Sequence, residues 1–128
     1  MRKVKSVRMY EKTEKLVSSV YDFSQDIPAG DLYALGDRIR YSIRGLSGDV
    51  AAFYSKFRID RIKAGIKAQS KISECEDYLK MAKSLRYADT DNIVGELKEL
   101  KKWLKLEAKK AKEREINHIN SIILTKSA

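Results

Sequence analysis

The chain has one cysteine, one proline, one histidine and one tryptophan among its 128 residues. Cys75 has no partner within the chain, so neither a disulfide framework nor a four-ligand zinc site can be built, and a reducing compartment is expected. Pro28 alone leaves too little turn punctuation for a many-stranded sheet protein. With His118 the only histidine, a serine or cysteine triad has one base to draw on. Glu115 and His118 share the Glu-x-x-His spacing of di-iron bundles, but that centre needs two such pairs and two further glutamates, so it cannot form within one chain. Long apolar runs are missing too. The basic start, MRKVKSVRMYEKTEK, lacks the roughly 7–15-residue apolar segment of a signal peptide, and nothing approaches the roughly 20 apolar residues of a membrane span. The expectation is a single soluble, cytoplasmic domain that is not an enzyme and carries no cofactor.

Charge is what the sequence has in quantity. Charged residues make up 35%, and the net charge is +9. The surplus is sorted by position: about +4 over residues 1–15, −4 over 16–37, +7 over 38–71, −3 over 72–97 and +5 over 98–114. In four antiparallel helices these blocks would gather the basic residues at one end and the acidic ones at the other. A body polarised in this way suits an anionic partner.

Hydrophobic spacing predicts four helices. The first runs from about Ser6 to Gln25, with Tyr10, Val17, Val20 and Tyr21 inward and Leu16 and Phe23 widening the face. Pro28 and Gly30 stop it, and Asp31 is the expected cap of the second. That helix carries Leu32, Leu35, Ile39, Ile43, Leu46, Val50 and Phe53 at alternating spacings of three and four. A single helix from Asp31 to Leu85 would be about 80 Å long, so a turn is required. A phase slip places it within residues 54–60, after which Ile62, Ile66, Ile72, Cys75, Leu79 and Ala82 point inward. Asp89 or Thr90 caps the fourth helix, with Leu97, Leu100, Leu104, Ala108 and Ala111 inward. Residues 1–112 form the bundle. Residues 113–128 are a tail or an extension of the fourth helix, continuing the spacing with Ile116, Ile119 and Ile123.

Few motifs carry chemistry. Gly30 to Arg38 has one residue too many for a phosphate loop and Asp37 where a lysine belongs. Cys75 reads as a small buried thiol, and Glu74, Glu76 and Asp77 as a solvated acidic face. The basic residues say more. Lys98, Lys102, Lys105, Lys109 and Lys112 fall within a stripe about 80° wide at 100° per residue, away from the leucine face. Like charges at i, i+4 repel, and a polyanion would relieve them. Lys56, Arg58, Arg61, Lys63 and Lys67 surround the turn into the third helix, and Arg2, Lys3, Lys5 and Arg8 begin the first. The plain alternative is lysine placed for solubility. Trp103 and Leu106 lie about 120–160° off the core face, where large apolar groups mark either contact with another chain or a core broad enough to cover them.

ALGDRIRYSIRGLSGDVAAFYSK, Ala34 to Lys56, and SECEDYLKMAKSLRY, Ser73 to Tyr87, resemble the bacterial four-helix bundle proteins. That family includes proteins encoded in intervening sequences of large-subunit ribosomal RNA genes and the accessory variability determinant, Avd, of diversity-generating retroelements. The resemblance covers residues 7 to about 110, with Leu35 to Ile39 well matched to the retroelement branch. It implies an up-down-up-down bundle, a homopentameric ring, a basic surface for RNA or an RNA/DNA hybrid and, in that branch, a reverse transcriptase as partner. The expectation is thus a non-catalytic accessory subunit. The alternative is a structural oligomer of the ribosomal intervening-sequence type without strong nucleic-acid binding.

Overall fold

A computed structural model describes the backbone of residues 2–127 and the side chains of residues 4–126. It contains α1 (Arg2–Ser24), α2 (Leu35–Ile43), α3 (Leu46–Ser55), α4 (Arg58–Ser84) and α5 (Asp91–Ser127), and no strand among the described residues. With α2 and α3 forming one broken rod, four helical rods pack together. α4 lies against α2, α3 and α5, and α1 against α2, α3 and α5.

Helix α1 turns its face slightly from the expected one. Met9, Thr13, Leu16 and Val20 are buried, Val17 and Tyr21 flank them, and Tyr10 is exposed. Thr13 can sit inside because its hydroxyl donates to the Met9 carbonyl at 2.6 Å, leaving no buried donor unpaired. The Asp31 carboxylate accepts the amides of Tyr33 at 3.1 Å and Leu35 at 3.0 Å, so it serves the α2 start from a few residues upstream. Leu32, expected inside, is 88% exposed, since α2 begins only at Leu35.

The unbroken second helix expected from spacing is two helices. Gly45 takes φ of +78°, a conformation glycine adopts without a Cβ penalty, and α3 restarts at Leu46. The buried series Leu35, Ile39, Ile43, Leu46, Val50 and Phe53 crosses the break intact, so periodicity alone could not reveal it. Lys71 reaches Asp49 at 2.7 Å and ties α3 to α4. Arg40 donates to the Ser24 hydroxyl at 2.9 Å and pairs with Asp37 at 2.6 Å, tying α2 to the end of α1.

The predicted turn after residue 54 is present, with α3 ending at Ser55 and α4 starting at Arg58. The inward face of α4 differs from expectation at its start: Ala64, Gly65 and Ala68 are buried, Ile62 is partly covered and Ile66 is 56% exposed. Small residues let the helices approach closely here. A Cβ at Gly65 would stand 3.1 Å from the Phe53 ring and 3.4 Å from Ala108. Further along, Ile72, Cys75, Leu79 and Ala82 are buried as expected. Glu76 is not part of a solvated face: it is 5% exposed and its Oε1 has no hydrogen-bond partner among the described residues. Burial pushes the Cys75 thiol up to about 12, against the smaller opposing effect of the Ser42 hydroxyl, so the sulfur is a core atom and not a nucleophile.

At the α4–α5 corner, Thr90 is buried and donates to the Leu79 carbonyl at 3.0 Å, while the Asp89 side chain accepts the Asp91 amide at 3.0 Å. Lys83 holds Asp91 at 2.6 Å. Tyr87 donates its hydroxyl to Asp31 across the same region. That bond first, and the Leu35 amide second, hold the Asp31 carboxyl below the usual carboxylate range. A pKa depressed by folding means that the stabilisation is complete above the unfolded value and is lost as pH falls through the folded one. Asparagine mimics the neutral acid. Asp31→Asn should therefore melt lower than the native chain at pH 7, with the two melting temperatures converging as pH falls below the usual carboxylate range. A gap independent of pH would show that charge at Asp31 contributes nothing.

Helix α5 runs unbroken for 37 residues, about 55 Å. Its buried series is Val94, Leu97, Leu100, Leu104 and Ala111, with Ala108 partly covered. Past Ala111, Ile116, Ile119, Ile122, Ile123 and Leu124 are all exposed.

Candidate nucleic-acid interface

Two surfaces gather basic residues, and some of the predicted positions belong to neither. Lys98, Lys102, Lys105, Lys109 and Lys112 are all exposed along one side of α5, and none makes an ion pair with another described residue. Five unneutralised ammonium groups in a row are unfavourable for the isolated helix. The row is a ladder of point charges on flexible stems, suited to phosphates rather than to base edges.

The second surface is a cavity of about 870 Å³ between the start of α1, the end of α3, the start of α4 and the middle of α5. Its apolar wall includes Met9, Phe53, Tyr54 and Trp103. Lys5, Arg8, Arg61, Lys110 and Arg114 bring five cations to it, against Glu107 alone. Basic groups from three separate charge blocks therefore do meet, but the lysine stripe is not among them. At 100° per residue, Lys110 and Arg114 stand about 120° or more round α5 from the stripe's centre, so the two surfaces face different ways.

Local contacts fix the cavity wall. The Trp103 indole N–H donates to the Tyr54 hydroxyl at 2.9 Å, and Lys5 lies 4.5 Å above the indole ring while pairing with Glu107 at 3.0 Å. Lys110 stands 3.9 Å from the same carboxylate. Arg61 donates to the carbonyls of Lys56 at 3.0 Å and Tyr54 at 3.3 Å, and its guanidinium lies about 6 Å from the rings of Phe53 and Phe57. Burial raises the Tyr54 hydroxyl above its ordinary pKa, against the smaller opposing effect of the Trp103 hydrogen bond. Arg8 and Arg114 make no ion pair with a described residue.

The remaining predicted positions divide. Lys56 and Lys63 are exposed, and Lys67 stands 3.9 Å from Asp49, which is already held by Lys71. Arg58 meets His118 of α5 side chain to side chain, which occupies the lone imidazole. Trp103 packs on this chain's own core and is only partly exposed, whereas Leu106 is 51% exposed. Arg2 and Lys3 have side chains outside the described residues. The cavity residues Tyr54, Lys110 and Arg114 were not predicted. Trp103, Glu107, Lys110 and Arg114 are spaced four, three and four apart, a second stripe whose mixed chemistry sets it apart from the lysine row.

Among the described residues no three His, Cys, Asp or Glu side chains gather as a metal group, and no helix is long and apolar enough to cross a membrane. No family model, curated protein or solved structure matches the chain.

Proposed function

We propose that the chain is a non-catalytic, cytoplasmic RNA-binding bundle that works as an oligomer. In this reading its rods run up-down-up-down and its copies close into a ring, as in the family that the sequence resembles. Its role is that of an accessory subunit holding RNA or an RNA/DNA hybrid for a reverse transcriptase. The observation that carries the binding reading is the row of five exposed lysines on α5, unneutralised by any described carboxylate. Phosphates that take the place of condensed counterions give affinity without sequence preference. The test is a salt titration against structured RNA. The logarithm of affinity should fall linearly with that of salt, by about 0.7–0.9 for each phosphate contacted. No measurable binding at low salt would leave the stripe a solubility device.

Assembly rests on a different observation, the apolar groups that α5 leaves exposed at Leu106 and from Ile116 onward. Light scattering should give a mass several times the 14.7 kDa of one chain. Trp103 is a poor probe of the contact, because an acidic group there would disrupt this chain's own packing against Tyr54 and Lys5. Leu106→Glu is the better variant, expected to lower the mass with little loss of helicity. A native chain that scatters as a monomer overturns the ring. Assembly without RNA binding would favour the structural oligomer of the ribosomal intervening-sequence type.

A further inference from the structure

The cavity, and not the lysine stripe, has the chemistry to take a base. Its volume of about 870 Å³ lies within the roughly 300–1,000 Å³ of small-molecule sites. Three aromatic side chains, Phe53, Tyr54 and Trp103, contribute to its wall. Two of them are locked together by the indole-to-phenol hydrogen bond at 2.9 Å, so the platform is set before any ligand arrives. Arg8 and Arg114, with no ion pair among the described residues, stand at the same cavity as ready anion partners. Glu107, its one acid, is matched by Lys5 and Lys110 and does not repel an anion outright. A ligand fitting both halves is flat and aromatic at one end and anionic at the other.

We infer that the cavity receives one unpaired nucleotide of single-stranded nucleic acid, the base against Trp103 and Tyr54 and its phosphate between Arg8 and Arg114. This rests on the RNA-binding reading and adds to it a second, chemically distinct mode of contact. Stacking on aromatic side chains is tolerant of sequence because every base has a π face. Lys5 now covers the indole ring at 4.5 Å, and an incoming base takes the place of its ammonium over the ring while Lys5 keeps its pair with Glu107. Duplex RNA would then lie along the stripe, while an unpaired end or looped-out base enters the cavity on the other flank of α5.

Trp103 is the only tryptophan, so its fluorescence reports on this cavity alone. The probes are a short single-stranded oligouridylate and an abasic phosphodiester of the same length. The oligouridylate should quench Trp103 saturably and the abasic chain should not. Arg8→Ala with Arg114→Ala should weaken the quenching by about tenfold or more, with the far-UV dichroism unchanged. Charge reversal at Lys102 and Lys109 should leave the full quench attainable. If the oligouridylate fails to quench while structured RNA still binds, the cavity proposal is wrong and the stripe reading survives. Equal quenching by the abasic chain makes the cavity a plain anion site and also overturns the proposal. If neither the oligouridylate nor structured RNA binds, both readings fall.

Discussion

Reversing Lys102 and Lys109 to glutamate should lower affinity for structured RNA by about 25- to 60-fold near 0.1 M salt. Each phosphate contact contributes a slope of about 0.7–0.9, which between 1 M and 0.1 M salt is a factor of about five to eight in affinity, and two are removed. The slope itself should flatten by about 1.5. Both residues are exposed and free of ion pairs with described residues, so the change should leave folding untouched. The matched control reverses Lys80 and Lys15, also exposed and without such pairs, which alters the net charge by the same amount. Lys83 is unsuitable as a control because it holds Asp91 at 2.6 Å. A deficit at least several times larger for the stripe variant is the expected result. Equal deficits would mean that the +9 charge attracts RNA without a placed site.

Ile72→Ala should cost about 2–5 kcal/mol in urea unfolding, whereas Ile66→Ala should cost about 0.5 kcal/mol or less. Ile72 is wholly buried, so truncation leaves a cavity among α4's neighbours, while Ile66 is 56% exposed and its removal opens none. The two residues lie six apart on one helix and have the same chemistry. Sequence spacing alone assigns them one role. Similar costs for the two would mean that α4 is rotated from the face described.

The error at Ile66 shows where reading apolar spacing stops working. The rule looks for large side chains, yet where α4 packs against Phe53 of α3 and Ala108 of α5 the inward positions are Ala64, Gly65 and Ala68. Close approach selects small residues, and the isoleucines are pushed outward. The break at Gly45 escaped for another reason. Ile43 and Leu46 keep a spacing of three across it, so the apolar series stays in phase while the backbone changes. Long, strongly patterned stretches such as Leu97 to Leu104 were legible because spacing and burial coincide there. For the candidate site, the sequence showed which residues are basic and that three blocks of charge could converge. It did not show that Lys110 and Arg114 join Arg8 and Arg61 around aromatic side chains while the lysine stripe points elsewhere. That division depends on which flank of α5 meets α1, a tertiary fact with no periodic signature.

The length of α5 beyond Ala111 has a thermodynamic consequence. Roughly sixteen residues at the end of a 37-residue helix have almost no core of their own to hold them. A peptide of that length is marginally helical in water, so its order is borrowed from the folded turns before it. Neighbouring copies that brought several such ends together would raise their local concentration to the millimolar range set by tethering, without any change in the bundle. The exposed isoleucines would then convert proximity into helicity. Under that coupling, the order of the last four turns becomes a readout of how many chains are present.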